Sequence, residues 1–335
     1  MAALSTAYPT LVDLTTQTGA DGSVQPVIEL LSKMDEMAQD IPVLEGNETN
    51  GERATVRTGI PTPTWRLFNQ GVVPTKGTTA QLVFKCGQME NWSQVDAGLA
   101  DSAVNREQFL LNQSLAQVEG MSQEMYSTFW YGTAAAPEEF VGIAAHYNDS
   151  TAGNGSQVLK AGGSDASDNA SIWLVNFGPD IHMIYPRNHP SAGITRDFKG
   201  KVTAEAVGGV AGALMDVYRE KFAWGGGLVV RDWRRAVRIA NIDVSAMVAQ
   251  SGDADLSFWM RKATHRIRPS APGTGRTVFV MHPSVFEYLD HQRDDKAVAG
   301  GGVRWQEIDG VLVPNFRGIP IRRSESLLLT EAPVT

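Results

Sequence analysis

Between residues 101 and 132 apolar side chains recur at helical spacing. Val104, Leu111, Leu115, Val118, Met125 and Phe129 stand seven, four, three, seven and four apart, while Arg106, Gln113, Gln117, Glu124 and Ser127 fall on the other side. The pattern predicts one long helix over 101–132. Asp101 and Ser102 can accept its first backbone N–H groups, no proline interrupts it, and Gly132 can supply a left-handed closing residue. Gly120 in its middle costs about 1 kcal/mol against alanine, which suggests a slight bend or a close neighbour there.

Elsewhere the patterning is shorter in range. Val27, Leu30, Leu31 and Met34 make a narrow stripe that predicts one modest helix over 26–37 inside an otherwise extended arm. Residues 53–92 read as strands, and Pro61, Pro63 and Pro74, which cannot donate to a ladder, confine them to edges or to a long two-stranded excursion. Such a hairpin is marginal by itself in water and needs a partner. Residues 148–169, dense in Asn, Ser, Gly and Asp, read as a surface loop. Strands are expected at 171–177 and 180–186, joined by a Gly178-Pro179 turn, and two more within 221–243. An amphipathic helix with Leu256, Met260 and Ala263 inward is expected over 253–266. A buried strand at 276–282 runs into a helix opened by Pro283, and short strands and turns fill 308–330. The elements mix without regular alternation, which indicates an α+β fold.

Composition changes this picture mainly by exclusion. With 42% hydrophobic and 20% charged residues the 335-residue chain is globular in type, and its net charge of −8 argues against a main task of coating nucleic acid. The single cysteine, Cys86, excludes an intrachain disulfide framework and a cysteine-rich zinc site; it reads as a small apolar residue near a strand end. No apolar run is long enough to span a bilayer and no signal segment opens the chain, so no membrane role is expected. There is no nucleophile elbow, phosphate-binding loop, dinucleotide fingerprint or zinc-binding H-E-x-x-H. The glycine clusters at 208–209, 225–227 and 300–302 read as turns or hinges. His182 and His189 flank a turn but suit hydrogen-bonded strand ends better than a metal, so no catalytic, cofactor or metal residues are assigned. Arg231, Arg234, Arg235 and Arg238 around Trp233 form the densest basic patch, and Arg261, Lys262, His265, Arg266 and Arg268 a second. Both suit phosphate, yet the acidic balance of the chain favours pairing with carboxylates of this chain or of another copy.

Several segments together resemble the major capsid proteins of tailed double-stranded DNA bacteriophages, in their podovirus-type form. They are the N-terminal arm, the strand-rich loop with Trp65-Arg66, the long helix ending Phe129-Trp130-Tyr131-Gly132, and residues 137–143. The run Ile172-Trp-Leu-Val, the segments 227–234 and 237–243, and Arg317-Gly-Ile-Pro-Ile-Arg-Arg add to it. The resemblance implies a coat fold with an N-terminal arm (1–50), an extended loop (51–98), a peripheral domain built on the spine helix (99–147 and 200–250) and an axial domain (148–199 and 251–335). It implies self-assembly into hexamers and pentamers of an icosahedral shell around the phage genome, with inter-subunit contacts through Trp65, Arg66, Lys76, Arg231, Arg234 and Arg235. The expected partners are a separate scaffolding protein, a portal, a decoration or cement protein, and packaged DNA on the inner surface; no cofactor and no enzymatic activity are expected. Some members cross-link neighbouring subunits through a loop lysine; Lys76 lies near the loop tip, but no partner asparagine or assisting carboxylate matches here. Two other readings are an encapsulin-like compartment enclosing protein cargo, and a hydrolase with a scattered site around His282 and Ser284.

Overall fold

The computed structural model describes residues 8–18, 33–164, 167–189, 192–205, 212–249, 255–268, 275–295, 303–308 and 311–335. In chain order a short helix α1 (Leu11–Thr16) precedes strands β1 (Val43–Glu45), β2 (Gly51–Gly59), β3 (Thr78–Lys85) and β4 (Gly87–Asp96). Helices α2 (Ala97–Ser102), α3 (Arg106–Tyr131) and α4 (Ile143–His146) follow. Then come strands β5 (Val158–Lys160), β6 (Asn169–Phe177), β7 (Ile181–Tyr185), β8 (Thr195–Glu205), β9 (Leu214–Val230) and β10 (Ala236–Asp243). Helices α5 (Val244–Ala249) and α6 (Leu256–Thr264), strand β11 (Arg276–Met281), helix α7 (Pro283–Asp295) and strands β12 (Val303–Ile308), β13 (Val311–Phe316) and β14 (Ile319–Arg323) complete the chain. The helix expected over 26–37 falls largely outside the described residues. Its described end turns instead into a single 3₁₀ turn, Glu36–Gln39.

The chain divides into two compact units. The first holds residues 1–34, 88–127 and 191–225. In it β9 lies between β8 and β4, with β8 and β9 paired antiparallel from Thr195↔Ala223 to Glu205↔Leu214. Strand β8 escaped the sequence reading because its half-buried alternating positions are the small Gly200, Val202 and Ala204, while Phe198 is exposed among charged residues. A small core joins Leu14, Val95, Ala100 and Phe109.

The long helix is α3, and it begins later than the pattern predicts. Residues 97–102 form the separate helix α2, and Asn105, not Asp101 or Ser102, caps α3 by accepting the backbone N–H of Gln108. Its 26 residues span roughly 40 Å at about 1.5 Å per residue. The predicted stripe also fails over its first half. Val104, Leu111 and Leu115 are exposed, and the buried positions there are Phe109, Asn112 and Ser114. Polar burial is satisfied locally: Ser114 donates to the buried Glu220 of β9, and Asn112 donates to Gln17 beyond α1.

The second unit holds residues 35–87, 128–190 and 226–335. It is built on a seven-stranded sheet in the order β12-β13-β14-β11-β6-β10-β5. Nine consecutive residues of β6 are buried, as expected of a strand covered on both faces. Helices α6 and α7 pack Leu256, Met260, Ala263, Val285 and Leu289 onto Ile172, Leu174, Ile239 and Phe279. The α6 stripe and the strand-to-Pro283 junction appear as predicted, with Asp255 capping α6 on Phe258 N–H. Residues 148–169 are not the surface loop expected: Gln157, Val158, Leu159 and Ala161 are buried, and β5 pairs parallel with β10. Strands β6 and β7 form as expected around Gly178-Pro179, but they enter different sheets; β7 pairs with β1 and with the end of β9.

Glycine positions correct two expectations. Gly132 ends α3 without a left-handed backbone; it is glycine because a Cβ there would lie 2.3 Å from Phe140 O and 2.7 Å from Thr128 O. The run 225–227 is no hinge but part of β9, where a Cβ on Gly227 would meet Lys85 O at 2.6 Å. The clusters at 208–209 and 300–302 lie outside the described residues.

Candidate functional site

The structure isolates one element from its own core. Among the described residues strands β2 and β3 pair only with each other, in register from Gly51↔Lys85 to Gly59↔Thr78, and residues 60–77 connect them without regular structure. This is the two-stranded excursion the prolines predict. The connection is exposed throughout, including its large apolar side chains: Trp65 is 100% exposed and Phe68 95%, with Ile60, Leu67 and Val73 beside them in sequence. Soluble proteins scatter single apolar residues on their surfaces, but a run of this density marks a contact surface.

Charge reinforces the separation. Residues 53–85 contain Arg53, Arg57, Arg66, Lys76 and Lys85 and no aspartate or glutamate. That is five positive charges in a chain of net −8, which leaves −13 for all other residues. This sign segregation is legible in the sequence by counting acids and bases along the loop; reading motifs alone passes over it. Arg66 donates to the carbonyl of Gln70 at 3.1 Å, and Lys76 lies exposed in the connection just before β3. The hairpin is therefore apolar and cationic at once, suited to a surface that is apolar and acidic.

At its root the hairpin is tied to the body of the second unit through Glu52, which is 3% exposed. Its Oε1 accepts from Arg231 Nε at 2.8 Å and Nη2 at 2.5 Å, and its Oε2 lies 3.5 Å from His182 Nε2. Burial pushes the His182 imidazole below its ordinary pKa, against the opposing pull of Glu52. Cys86 follows β3, buried beside Ile184 and Val229, and burial together with the Glu52 charge pushes its thiol up to about 11. It is an inert core residue rather than a nucleophile.

The arginines singled out by sequence are engaged inside the chain. Arg231 holds Glu52, Arg234 pairs with Asp232 at 2.8 Å, and Arg235 reaches Asp180 at 2.9 Å and the carbonyl of Arg268. Arg238 is deeply buried on Glu331. In the second patch Arg266 donates to Ser156 O, and Lys262 sits 4.7 Å from the ring of Trp259. Sequence reasoning missed a further clamp: Asp40 lies between Arg322 at 2.6 Å and Arg276 at 2.7 Å, while Glu36 takes Arg323 at 2.5 Å. No local spacing betrays partners that stand more than 230 residues apart.

The pair His282 and Ser284 does not form a base–nucleophile hydrogen bond through the histidine's Nδ1. Nδ1 of His282 accepts the backbone N–H of Ser284 at 3.1 Å, which turns that ring atom away from work as a base on the serine hydroxyl. Among the described residues no three His, Cys, Asp or Glu side chains gather as a metal site, and no helix is long and apolar enough to cross a membrane.

A family model described as major capsid protein GP7 matches residues 19–335. Among solved structures the chain is similar to one in the near-atomic cryo-EM structure of bacteriophage epsilon15, at 28% identity over 100% of both chains with a TM-score of 0.80. It is distantly similar to the bacteriophage JBD30 capsid (10% identity, 89% and 92% of the two chains, TM-score 0.47) and to the SrpI encapsulin of Synechococcus elongatus (10%, 62% and 88%, 0.41). No curated protein matches.

Proposed function

Because the chain belongs to the major capsid protein GP7 family, we propose that the β2–β3 hairpin is the part through which one copy reaches the next in the shell. The chain is the major capsid protein of a tailed phage; it has that coat fold, self-assembles into the icosahedral shell and resides in the virion. The observation that carries the hairpin reading is its isolation: an exposed run with Trp65 and Phe68, on strands that pair with no other strand among the described residues.

In this reading residues 1–50 are the arm, 51–98 the extended loop, 99–147 with 200–250 the peripheral domain on α3, and 148–199 with 251–335 the axial domain. Trp65, Arg66 and Lys76 touch the neighbouring subunit, and Arg231, Arg234 and Arg235, paired within the chain, border that contact. Subunits associate as hexamers and pentamers in the host cytoplasm, guided by a separate scaffolding protein around a portal, with a decoration or cement protein added outside and DNA against the inner surface. The task is association, not catalysis. The test is electron microscopy and size-exclusion chromatography of the purified protein, alone and with a candidate scaffolding protein. Closed shells or rings are expected, and deletion of residues 55–85 leaves a folded core that builds none. Normal shells from that deletion would overturn the role given to the hairpin.

A further inference from the structure

Two antiparallel strands can hold an element only as steadily as their root is held. Of the side chains in β2 and β3, Glu52 alone is buried; Gly51, the other buried position, has none, and every residue of β3 is exposed or half-buried. Glu52 is also the sole acid between residues 51 and 85. The other polar attachments at the root are to the adjoining turn: Asn47 exchanges hydrogen bonds with the main chain of Arg53, Glu48 pairs with Arg53 at 2.7 Å, and Cys86 N–H donates to Asn50 O. Phe84 of β3 packs half-buried against Ile184 and Val229, but such apolar contact has no preferred direction; among the described side chains of β2 and β3 only Glu52 hydrogen-bonds to the sheet behind, where Arg231 receives it. Arg231 is itself fixed, its N–H donating to Asp180 O at 2.8 Å and Nη1 to Pro179 O at 3.3 Å.

A buried apolar side chain would stabilise this place as well as a carboxylate does, since burying a charge roughly cancels what pairing returns. What an arginine–carboxylate pair adds is direction, because the planar donors accept a partner from one approach. Direction matters for a lever. The nine residues of β2 extend roughly 30 Å at about 3.3 Å each, so a 10° swing at the root moves the strand end by about 5 Å, more than a hydrogen bond tolerates.

We propose that Glu52, held by Arg231 and seated beside His182, is the positioning residue that sets the angle at which the hairpin leaves the body and so makes the contact between copies reproducible. The consequence for assembly rests on the hairpin being an inter-subunit contact. The test reads the angle in unassembled protein, where that contact plays no part. Spin labels are placed at Thr79→Cys in β3 and Glu287→Cys in α7, in a Cys86→Ala background, and the distance distribution is measured by double electron–electron resonance. Glu52→Gln, which keeps the shape, and Arg231→Lys, which keeps the charge but loses the fork, should each broaden the distribution at least twofold at unchanged circular dichroism. Arg53→Ala, which removes only the exposed pair with Glu48, should leave it unchanged. An unbroadened distribution in both Glu52→Gln and Arg231→Lys overturns the proposal, whereas normal shells from the 55–85 deletion would remove the inter-subunit reading and leave the anchor standing.

Discussion

Arg238 and Glu331, ninety-three positions apart, meet in the interior with Nη2 2.8 Å from Oε2, each only about 5% exposed. The pair is fully dressed. Tyr131 Oη donates to Glu331 Oε1 at 2.6 Å and Ser171 Oγ to Oε2, while Arg238 reaches Ser171 Oγ and Tyr147 O and stacks 5.2 Å from the ring of Trp173. It ties the last residues of the chain across β6 and β10. Glu331→Ala should lower stability by about 3–5 kcal/mol, because it strands a buried cation, and Arg238→Met together with Glu331→Leu should recover most of that loss. Urea unfolding of unassembled protein measures both.

Two glycines of one helix region should respond with opposite sign. A Cβ at Gly132 collides with backbone oxygens that cannot retreat, so Gly132→Ala should destabilise by more than about 2 kcal/mol. Gly120 sits mid-helix with nothing within 4 Å of a built Cβ, and Gly120→Ala should stabilise by about 0.5–1 kcal/mol. Thermal unfolding of the two variants side by side decides it.

Trp65 is fully exposed and Arg66 touches only its own loop. Trp65→Ala and Arg66→Ala should therefore slow or abolish shell formation while changing the unfolding free energy of the free subunit by less than about 0.5 kcal/mol. Equal losses in both measurements would assign these residues to the core.

In the proposed inter-subunit role of the hairpin, segregation of five basic residues onto it in an otherwise acidic chain should make association electrostatic in part. Raising salt from about 0.1 M to about 1 M shrinks the screening length from roughly 10 Å to roughly 3 Å, and assembly followed by light scattering should slow accordingly. Lys76→Glu should flatten that salt dependence as well as weaken assembly.

The raised Cys86 thiol predicts slow reaction with Ellman's reagent in the folded subunit. With its pKa at about 11, roughly one thiol in a thousand is ionised at pH 8, and unfolding should release a fast phase. The folded pKa lies above the unfolded value of about 9, so the thiol favours folding fully below pH 9. That contribution should decline as pH rises from about 9 to 11 and be lost beyond it.

What the amino-acid sequence determined were features carried by neighbours along the chain. The stripe Leu256, Met260, Ala263 faces the core because that short helix has one apolar side, Pro283 opens α7 because its ring suits a first turn, and Pro61, Pro63 and Pro74 keep the connection between β2 and β3 out of a ladder. The outline of a coat protein was legible in the order of such parts. Tertiary structure decided which of two apolar faces of α3 turns inward. Phe109 and Leu111 differ little in hydrophobicity, and Phe109 is the buried one because Leu14, Val95 and Ala100 converge on it. The same holds for Glu52 with Arg231, Asp40 with Arg322 and Glu331 with Arg238. A periodicity reports that a helix has an apolar side; only the folded chain, by bringing distant segments together, chooses what covers it and which charges are buried as pairs.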